Sequence, residues 1–569
     1  MILGPEVGEL QGYSYSAGRA FPDGTLIVIF HNSTDYKVYE GNAFTDSALQ
    51  LKKQYIFPSG ISVHDVTILS SGKIVFGVTN TTHAGFYFLD EDTYRMPAEL
   101  IGAVDFAYDP VRDAYALAVY NQTCIGAYDT SGSQLLNYEA SNITTSVEFR
   151  FYDGVAYAVF GEGAPSGSQG TLTAISSTGM KKSFDVAWVP KGLTSSIDAY
   201  GVSALFIGTD ASLKNYVAVT GSTIDWNFHT WSEDDFSSFG NVSFPSILAF
   251  SPQSFDDAVA FVIGADADGD GTVEKGGYVY STASSKGTPQ TLVDFSSSES
   301  SDVQYGVMIV PTAMFGYPAC THFLMRDSLI AFMFKNYNET GTQYTDYILK
   351  WFGIDLQSSF DEFMTLNYPR REMNSTDRFQ TELLAFDASD LVLVAEYNST
   401  GYGAPYDTIG YVKCSYGSTC SLPDDVVKFP DGGKYDMKSM WLPSDDLSYS
   451  VFFMTRNSDN VTVTLVYRSS AYEALSSSNK FVAVVGNILG PGEFKKMQIM
   501  IRAQSDGDIV YQIINAAGKI EEEHVIEGAV KGRVYNLVWK PTEDTSPGLH
   551  LLRVSSGGKV GIVKFLVVK

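Results

Sequence analysis

Within residues 256–280, DDAVAFVIGADADGDGTVEKGGYVY, carboxylates recur at metal-ligand spacing: Asp266, Asp268, Asp270 and Glu274, with Gly271 inside the run. The pattern D-x-D-x-D-G-x-x-E puts oxygen ligands at the first, third, fifth and ninth places of a tight loop. Thr272 adds a backbone carbonyl at the seventh, completing the oxygen-rich shell that Ca2+ takes. Gly271 permits the sharp turn that gathers these oxygens on one point. Four carboxylates so close together repel one another without a counter-ion. An EF-hand would need a bidentate Glu where Gly277 stands, and helices on either side. Here 258–263 and 277–280 read instead as strands. The expectation is a structural Ca2+ site in a strand-loop-strand hairpin.

Elsewhere, residues capable of chemistry do not assemble by spacing. Ser62, His64 and Asp65 in GISVHD crowd one strand, where Ser62 and His64 share a face and Asp65 takes the other, as in an ordinary polar strand. No G-x-S-x-G elbow occurs. The seven histidines (His31, His64, His83, His229, His322, His524, His550) include no short zinc pair. Glu233, Asp234 and Asp235 stand beside Trp226 and Trp231, a pairing of carboxylate and aromatic that sugar sites use and that core-packed acidic loops share. The glycine-rich 161–170 follows a strand but precedes no helix, so it makes no phosphate cradle. No catalytic residue is assigned.

The hairpin that would carry the cation belongs to a repeating pattern. A turn, a buried strand, a polar loop and an aromatic strand occur first at 22–40, as PDG, TLIVIF, HNSTD and YKVYE. The buried strand returns at 70–78, 113–120, 153–161, 201–209, 258–263, 327–334, 390–397 and 446–454. Apolar runs of this kind are half- or fully buried strands. Their spacing of roughly 40 to 70 residues is near the period of a four-stranded propeller blade, which buries both faces by packing between neighbours. The expected fold is all-β: a β-propeller-like toroid of roughly seven to nine blades over 1–475, with tandem β-sandwiches as the alternative. No convincing amphipathic helix longer than three turns occurs, and FDEFMTL (360–366) reads as one or two turns at most. A polar string at 476–480 opens a linker, 476–490. The short strands of 491–569 then have the rhythm of a small Ig-like β-sandwich.

Composition bounds the partners. The chain of 569 residues is 44% hydrophobic and 18% charged, with 14% aromatics, which suits a folded β-rich protein with more than one core or one large closed architecture. A net charge of −27 excludes the basic footprint that nucleic acid requires. No apolar run is long enough for a membrane-spanning helix. The opening MILGPEVGELQGYSYS lacks the basic and apolar regions of a signal peptide, so the chain reads as cytoplasmic or as a mature, exported form. Acceptor triplets favour export. They stand at Asn32, Asn80, Asn121, Asn142, Asn241, Asn338, Asn374, Asn398 and Asn460, mostly between expected strands where a glycan fits. Cys414 and Cys420 enclose SYGST and could close a small disulfide loop. Cys124 and Cys320 either pair across the fold or remain thiols.

Near the end, DGDIVYQIINAAGKI, YNLVWKP, SPGLHLLRVSSGGKV and KFLVVK resemble the Ig-like C-terminal modules of hook-cap proteins and of cargo of the type IX secretion route. In those modules a strand ending N-x-x-G-K precedes (P/S)-G-x-Y-x-L-(K/R)-V; His550 stands at the Tyr position. The resemblance implies export and attachment at a bacterial outer surface. The acidic hairpin is similar to the calcium loops of integrin-type propellers. The functional expectation is a secreted or cell-surface glycoprotein, structural or adhesive and non-enzymatic, a subunit of a surface layer, sheath or filament. Its expected partners are copies of itself, neighbouring surface proteins or glycans. The alternatives are a secreted polysaccharide-active enzyme and a ligand-binding propeller receptor.

Overall fold

Val, Ile, Phe and Ala dominate the runs that follow each Asp or Gly turn, and side chains of that kind fill a pleat buried on both faces. In the computed structural model these runs and the aromatic strands after them are the central pair of antiparallel sheets, seven of them four-stranded and two, around 258–266 and 329–337, five-stranded. The structure describes residues 2–109, 111–163, 168–198, 201–220, 229–242, 248–250, 258–266, 275–282, 286–294, 306–307, 322–326, 329–337, 344–354, 360–368, 382–386, 390–397, 408–415, 426–428, 435–445, 449–456, 459–468, 481–485, 488–489, 497–529, 534–539, 541 and 545–568.

Among them nine sheets precede residue 470, and all pair antiparallel. The first comprises Ser14–Ala20, Thr25–Asn32, Asp35–Asn42 and Gln50–Ile56. The second begins with Ser62–Ile68 and Ile74–Thr79, the third with Ala103–Asp109 and Ala114–Tyr120, the fourth with Glu148–Tyr152 and Val155–Gly163, the fifth with Val189–Asp198 and Gly201–Thr209. The sixth, seventh and eighth centre on Ala258–Asp266, Leu329–Tyr337 and Asp390–Tyr397. The ninth is composite: Tyr435–Pro443, Tyr449–Arg456 and Val461–Arg468 are completed by Ile2–Glu9, with Glu9 opposite Val461 and Ile2 opposite Val466.

The chain divides into two compact units: Met1–Asn32, Tyr36–Tyr55 and Phe379–Lys569 in one, Ser33–Asp35 and Ile56–Arg378 in the other. In the second unit consecutive sheets share cores. Val75, Phe86, Tyr115 and Leu117 join the second sheet to the third, and Ala118, Phe149 and Phe160 join the third to the fourth. Gly77 allows a close approach of the second sheet to the third, since a Cβ there would lie 2.6 Å from the Phe106 ring. Turn aspartates add polar ties. Asp113 accepts from the Ser70 backbone (2.7 Å) and hydroxyl (2.6 Å), while buried Asp109 accepts from the Gly154 amide (2.6 Å). In the first unit, Leu26, Val28 and Phe30 of the first sheet share a core with Tyr449, Val451 and Phe453 of the ninth. Arg19 grips Asp445 through both carboxylate oxygens, and the Tyr449 hydroxyl donates to the Phe21 carbonyl (2.7 Å).

After residue 480 two further sheets face each other. Val482–Val485, Met497–Arg502 and Val534–Trp539 form one; Ile488–Leu489, Lys559–Val567, Gly548–Ser556, Gly507–Asn515 and Ile520–Ala529 form the other. Ile499, Ile501, Ile509, Leu552, Val554 and Phe565 fill the space between them. Val482–Val485 and Ile488–Leu489 fall within 476–490, the stretch read as linker. The helical expectation for 360–366 is corrected. Phe360–Tyr368 is a strand paired with Tyr344–Ile354, because tertiary pairing overrides a short run's weak helical preference. Among the described residues, helix is confined to the single turn Glu233–Phe236, and none is long and apolar enough to cross a membrane.

Candidate functional site

The first strands of the second, third and fourth sheets each carry a carboxylate near their start: Asp65 opposite Gly77, Asp105 opposite Ala118, Glu148 opposite Val159. Packing sheet upon sheet turns these three into a row, and each step along it is bonded. The Tyr115 hydroxyl of the third sheet donates to Asp65 of the second at 2.6 Å. The Phe149 amide of the fourth donates to Asp105 of the third at 3.2 Å, and the Phe106 amide donates to the same carboxylate at 2.8 Å. Arg150 binds Glu148 at 2.5 Å and donates to the Ser195 carbonyl of the fifth sheet at 2.9 Å. A bulge between Val63 and Asp65 places His64 outside simple alternation, and its Nε2 lies 2.8 Å from the Thr79 hydroxyl. The His64 ring stacks near Phe106, their centroids 6.3 Å apart.

Asp65 keeps an open surface while Asp105 and Glu148 are half-buried. Even so, displaced water raises all three carboxyls above their ordinary range. Hydrogen bonds and the Arg150 guanidinium pull back against that rise, whereas Asp65 repels Asp105 and Asp105 repels Glu148. Tyr115, wholly buried and beside two carboxylates, is pushed well above the usual phenol value, first by burial. Burial lowers the His64 imidazole. Such a row can hold protons or a cationic group between its carboxylates. Among the described residues no cluster of three His, Cys, Asp or Glu is spaced for a metal ion.

Of the residues singled out in the sequence, Asp65 and His64 join this row; Ser62, on the same strand, has an exposed side chain. Asp266 ends the strand Ala258–Asp266 opposite Asn241, and Lys275 resumes pairing opposite Ala265. Asp268, Asp270, Thr272 and Glu274 lie outside the described residues. The acidic run 233–235 serves the fold. Asp235 caps the single helical turn and binds Lys286 (3.0 Å), Asp234 binds Lys214, and Glu233 accepts from the Asn215 backbone and amide. Trp231 is 1% exposed with its indole donating to the Gly287 carbonyl, so it presents no open stacking face for a sugar; Trp226 lies outside the described residues.

The acceptor triplets follow the topology. Asn32, Asn80, Asn121 and Asn460 all fall at the connection from second to third strand of their sheets. Asn338 and Asn398 come directly after the second strands Leu329–Tyr337 and Asp390–Tyr397 and, like Asn374, lie outside the described residues. At Asn80 and Asn121 the side-chain oxygen closes the turn, accepting from the amide and hydroxyl of the Thr two residues on. Asn142 differs: its side-chain amide donates to the Gly163 carbonyl at 2.8 Å. Cys124 is a free, half-buried thiol. Cys414 sits in the strand Thr408–Ser415, and Cys420 and Cys320 lie outside the described residues.

The C-terminal sandwich supplies a second candidate surface. On the outer face of its five-stranded sheet Leu549, Ile562, Val560, Val525 and Leu566 are exposed by 47, 59, 49, 51 and 38%. Half of the fourteen exposed large hydrophobics among the described residues fall within 520–568. On the inner side His550 is 1% exposed, stacks on Phe565, and meets Glu521 at 2.9 Å. Partial burial pushes Glu521 up, but bonds from Ser546, Asn515 and His550, with the charge of His550, take it down to about 2.

Sequence reasoning missed Asp105, Glu148, Tyr115 and Arg150, and the outer face of the sandwich. A signal for the first two was present: Val-His-Asp-Val, Ala-Val-Asp-Phe and Ser-Val-Glu-Phe recur about one strand ahead of successive buried runs. No family model matches the chain, and no curated protein matches it. Among solved structures it is similar to a eukaryotic initiation factor (11% identity, 74% of this chain and 91% of that one, TM-score 0.40). It is also similar to oligopeptidase B from Leishmania major (10%, 70% and 55%, 0.31) and to TolB from Acinetobacter baumannii (14%, 39% and 54%, 0.22).

Proposed function

We propose that this chain is a non-enzymatic structural or adhesive glycoprotein of a cell exterior, a subunit of a surface layer, sheath or filament. Its nine sheets are blades of a propeller-like toroid, fastened where Ile2–Glu9 completes the ninth sheet and where the first and ninth sheets share a core. The two-sheet module after residue 480 is an Ig-like sandwich of the exported kind, and 266–274 holds Ca2+. The observation that carries the functional half is the set of exposed large apolar side chains on the outer face of that sandwich, since a gathering of this kind on one face marks an interaction surface. Six of the nine acceptor triplets at one kind of connection support a glycosylated rim.

Electron microscopy of the purified chain with Ca2+ and after chelation tests this. Regular assemblies that dissolve on chelation are expected, and a chain that stays monomeric at high concentration sinks the proposal. Mass spectrometry of material from its natural source should find glycans at Asn80, Asn121 and Asn460 and none at Asn142, whose amide is engaged. A second reading, a receptor for a cationic ligand, is favoured by the row Asp65, Asp105 and Glu148. Polyamine titration followed by calorimetry separates it, because a surface subunit would release no comparable heat.

A further inference from the structure

We propose that the outer face of the five-stranded sheet, on Gly507–Asn515, Ile520–Ala529, Gly548–Ser556 and Lys559–Val567, packs against the same face of a second copy of this chain. The proposal rests on the surface-subunit reading and names the partner of that surface. Strand register fixes what the face presents. Leu549 stands opposite Leu566, Leu551 opposite Lys564, and Ile514 opposite Leu551, on one side of a polar stripe. Val510 stands opposite Val525 on the other side. The stripe itself runs across strands, with Arg553 donating to Gln512 at 2.7 Å and Gln512 donating to Glu523.

Charge and area favour a second copy. On the outer face the hairpin 548–567 presents Arg553 and Lys564, and it holds no Asp or Glu, in a chain of net charge −27. Ile520–Ala529, the edge strand beyond Gly507–Asn515, brings Glu523 to the opposite side of the same face. A two-fold axis along the strands turns one copy over, so the basic side of each lies on the acidic side of the other, as an isologous contact requires. Four strands about 4.8 Å apart and about 30 Å long present about 570 Å² each, so a pair covers about 1,100 Å², near the lower bound for a specific interface. The two faces would meet as sheets do in a sandwich, about 10 Å apart.

Sedimentation velocity of the full chain, across a concentration series with Ca2+ present, tests this. Wild type should dimerise as the first step of assembly. Ile562→Glu, at an exposed position, should weaken the dimer at least about tenfold while circular dichroism stays unchanged. Arg553→Glu should weaken it too, and Arg553→Glu with Glu523→Arg should restore it, since the stripe is then reversed in both copies. If Ile562→Glu associates like wild type, the face proposal falls while the surface-subunit reading stands. If wild type never associates, both fall. Binding to anionic vesicles by a chain that remains monomeric would assign the face to a membrane and overturn the second-copy occupant.

Discussion

Asp105 has a carboxylate on either side of it along the row and takes two backbone amides as its direct partners. Its carboxyl, with those of Asp65 and Glu148, sits above the ordinary range when folded, so the folded state holds protons that the unfolded chain has released. Stability from this row is therefore complete below the ordinary carboxylate values and falls as pH rises through the raised ones. Phe106 and Phe149 donate to different oxygens of that carboxylate, so Asp105→Asn keeps an acceptor for one amide only; it also removes a raised titrating group, so thermal unfolding followed across pH should show a flatter decline with rising pH than wild type. A variant whose decline is as steep as that of wild type would show that Asp105 does not titrate over that range. Glu521 behaves oppositely. Its folded value of about 2 lies below the ordinary 4.5, so its contribution is full above 4.5 and is lost as pH falls toward 2. Glu521→Gln should destabilise the C-terminal module at neutral pH by about 1–3 kcal/mol, and denaturant melts across that acid range should lose their pH dependence.

Among elements, Ile2–Glu9 completes the ninth sheet from the far end of the chain. It covers the edge of Val461–Arg468, and Val7, 3% exposed, belongs to the core shared by the first and ninth sheets. Uncovered, that edge would be a row of unpaired backbone groups open to any strand. Removing residues 2–9 should cost at least about 3 kcal/mol, from lost burial and ladder bonds together, and should promote aggregation. Calorimetry reads the loss, and a synthetic peptide of residues 1–10 added in trans should recover part of it. The hairpin read from the sequence is, in each sheet, the central pair of strands. Strands one and four went unread because they are half-exposed and carry mixed residues: Gln50–Ile56 shows no buried position, whereas Ile74–Thr79 is buried throughout.

For the whole molecule the charge matters most. A chain at −27 resists compaction through self-repulsion, and a cation at 266–274 would relieve it locally. Ca2+ at a hundredfold excess over its dissociation constant should stabilise the fold by about 2.7 kcal/mol, and Asp270→Asn should abolish most of that gain. A thermal shift series with Ca2+, Mg2+ and chelator checks this. An equal shift with both ions, unchanged by Asp270→Asn, would trace the effect to screening alone.

Apolar runs that follow turn residues were enough to place the buried strands, because both depend on neighbours in the chain. The all-β class and the two-sheet C-terminal module follow from them. Asp65 was legible as a polar residue on a strand. That it meets Tyr115, fifty residues away, and forms a row with Asp105 and Glu148 was decided by sheet packing on sheet. The same holds for Ile2–Glu9, whose partner strand lies more than 450 residues further on. It holds as well for the outer face at Ile562, where Lys559–Val567 alternates as any half-buried strand does. Local patterning says which residues must be covered. Only the folded arrangement says which of them the chain leaves open.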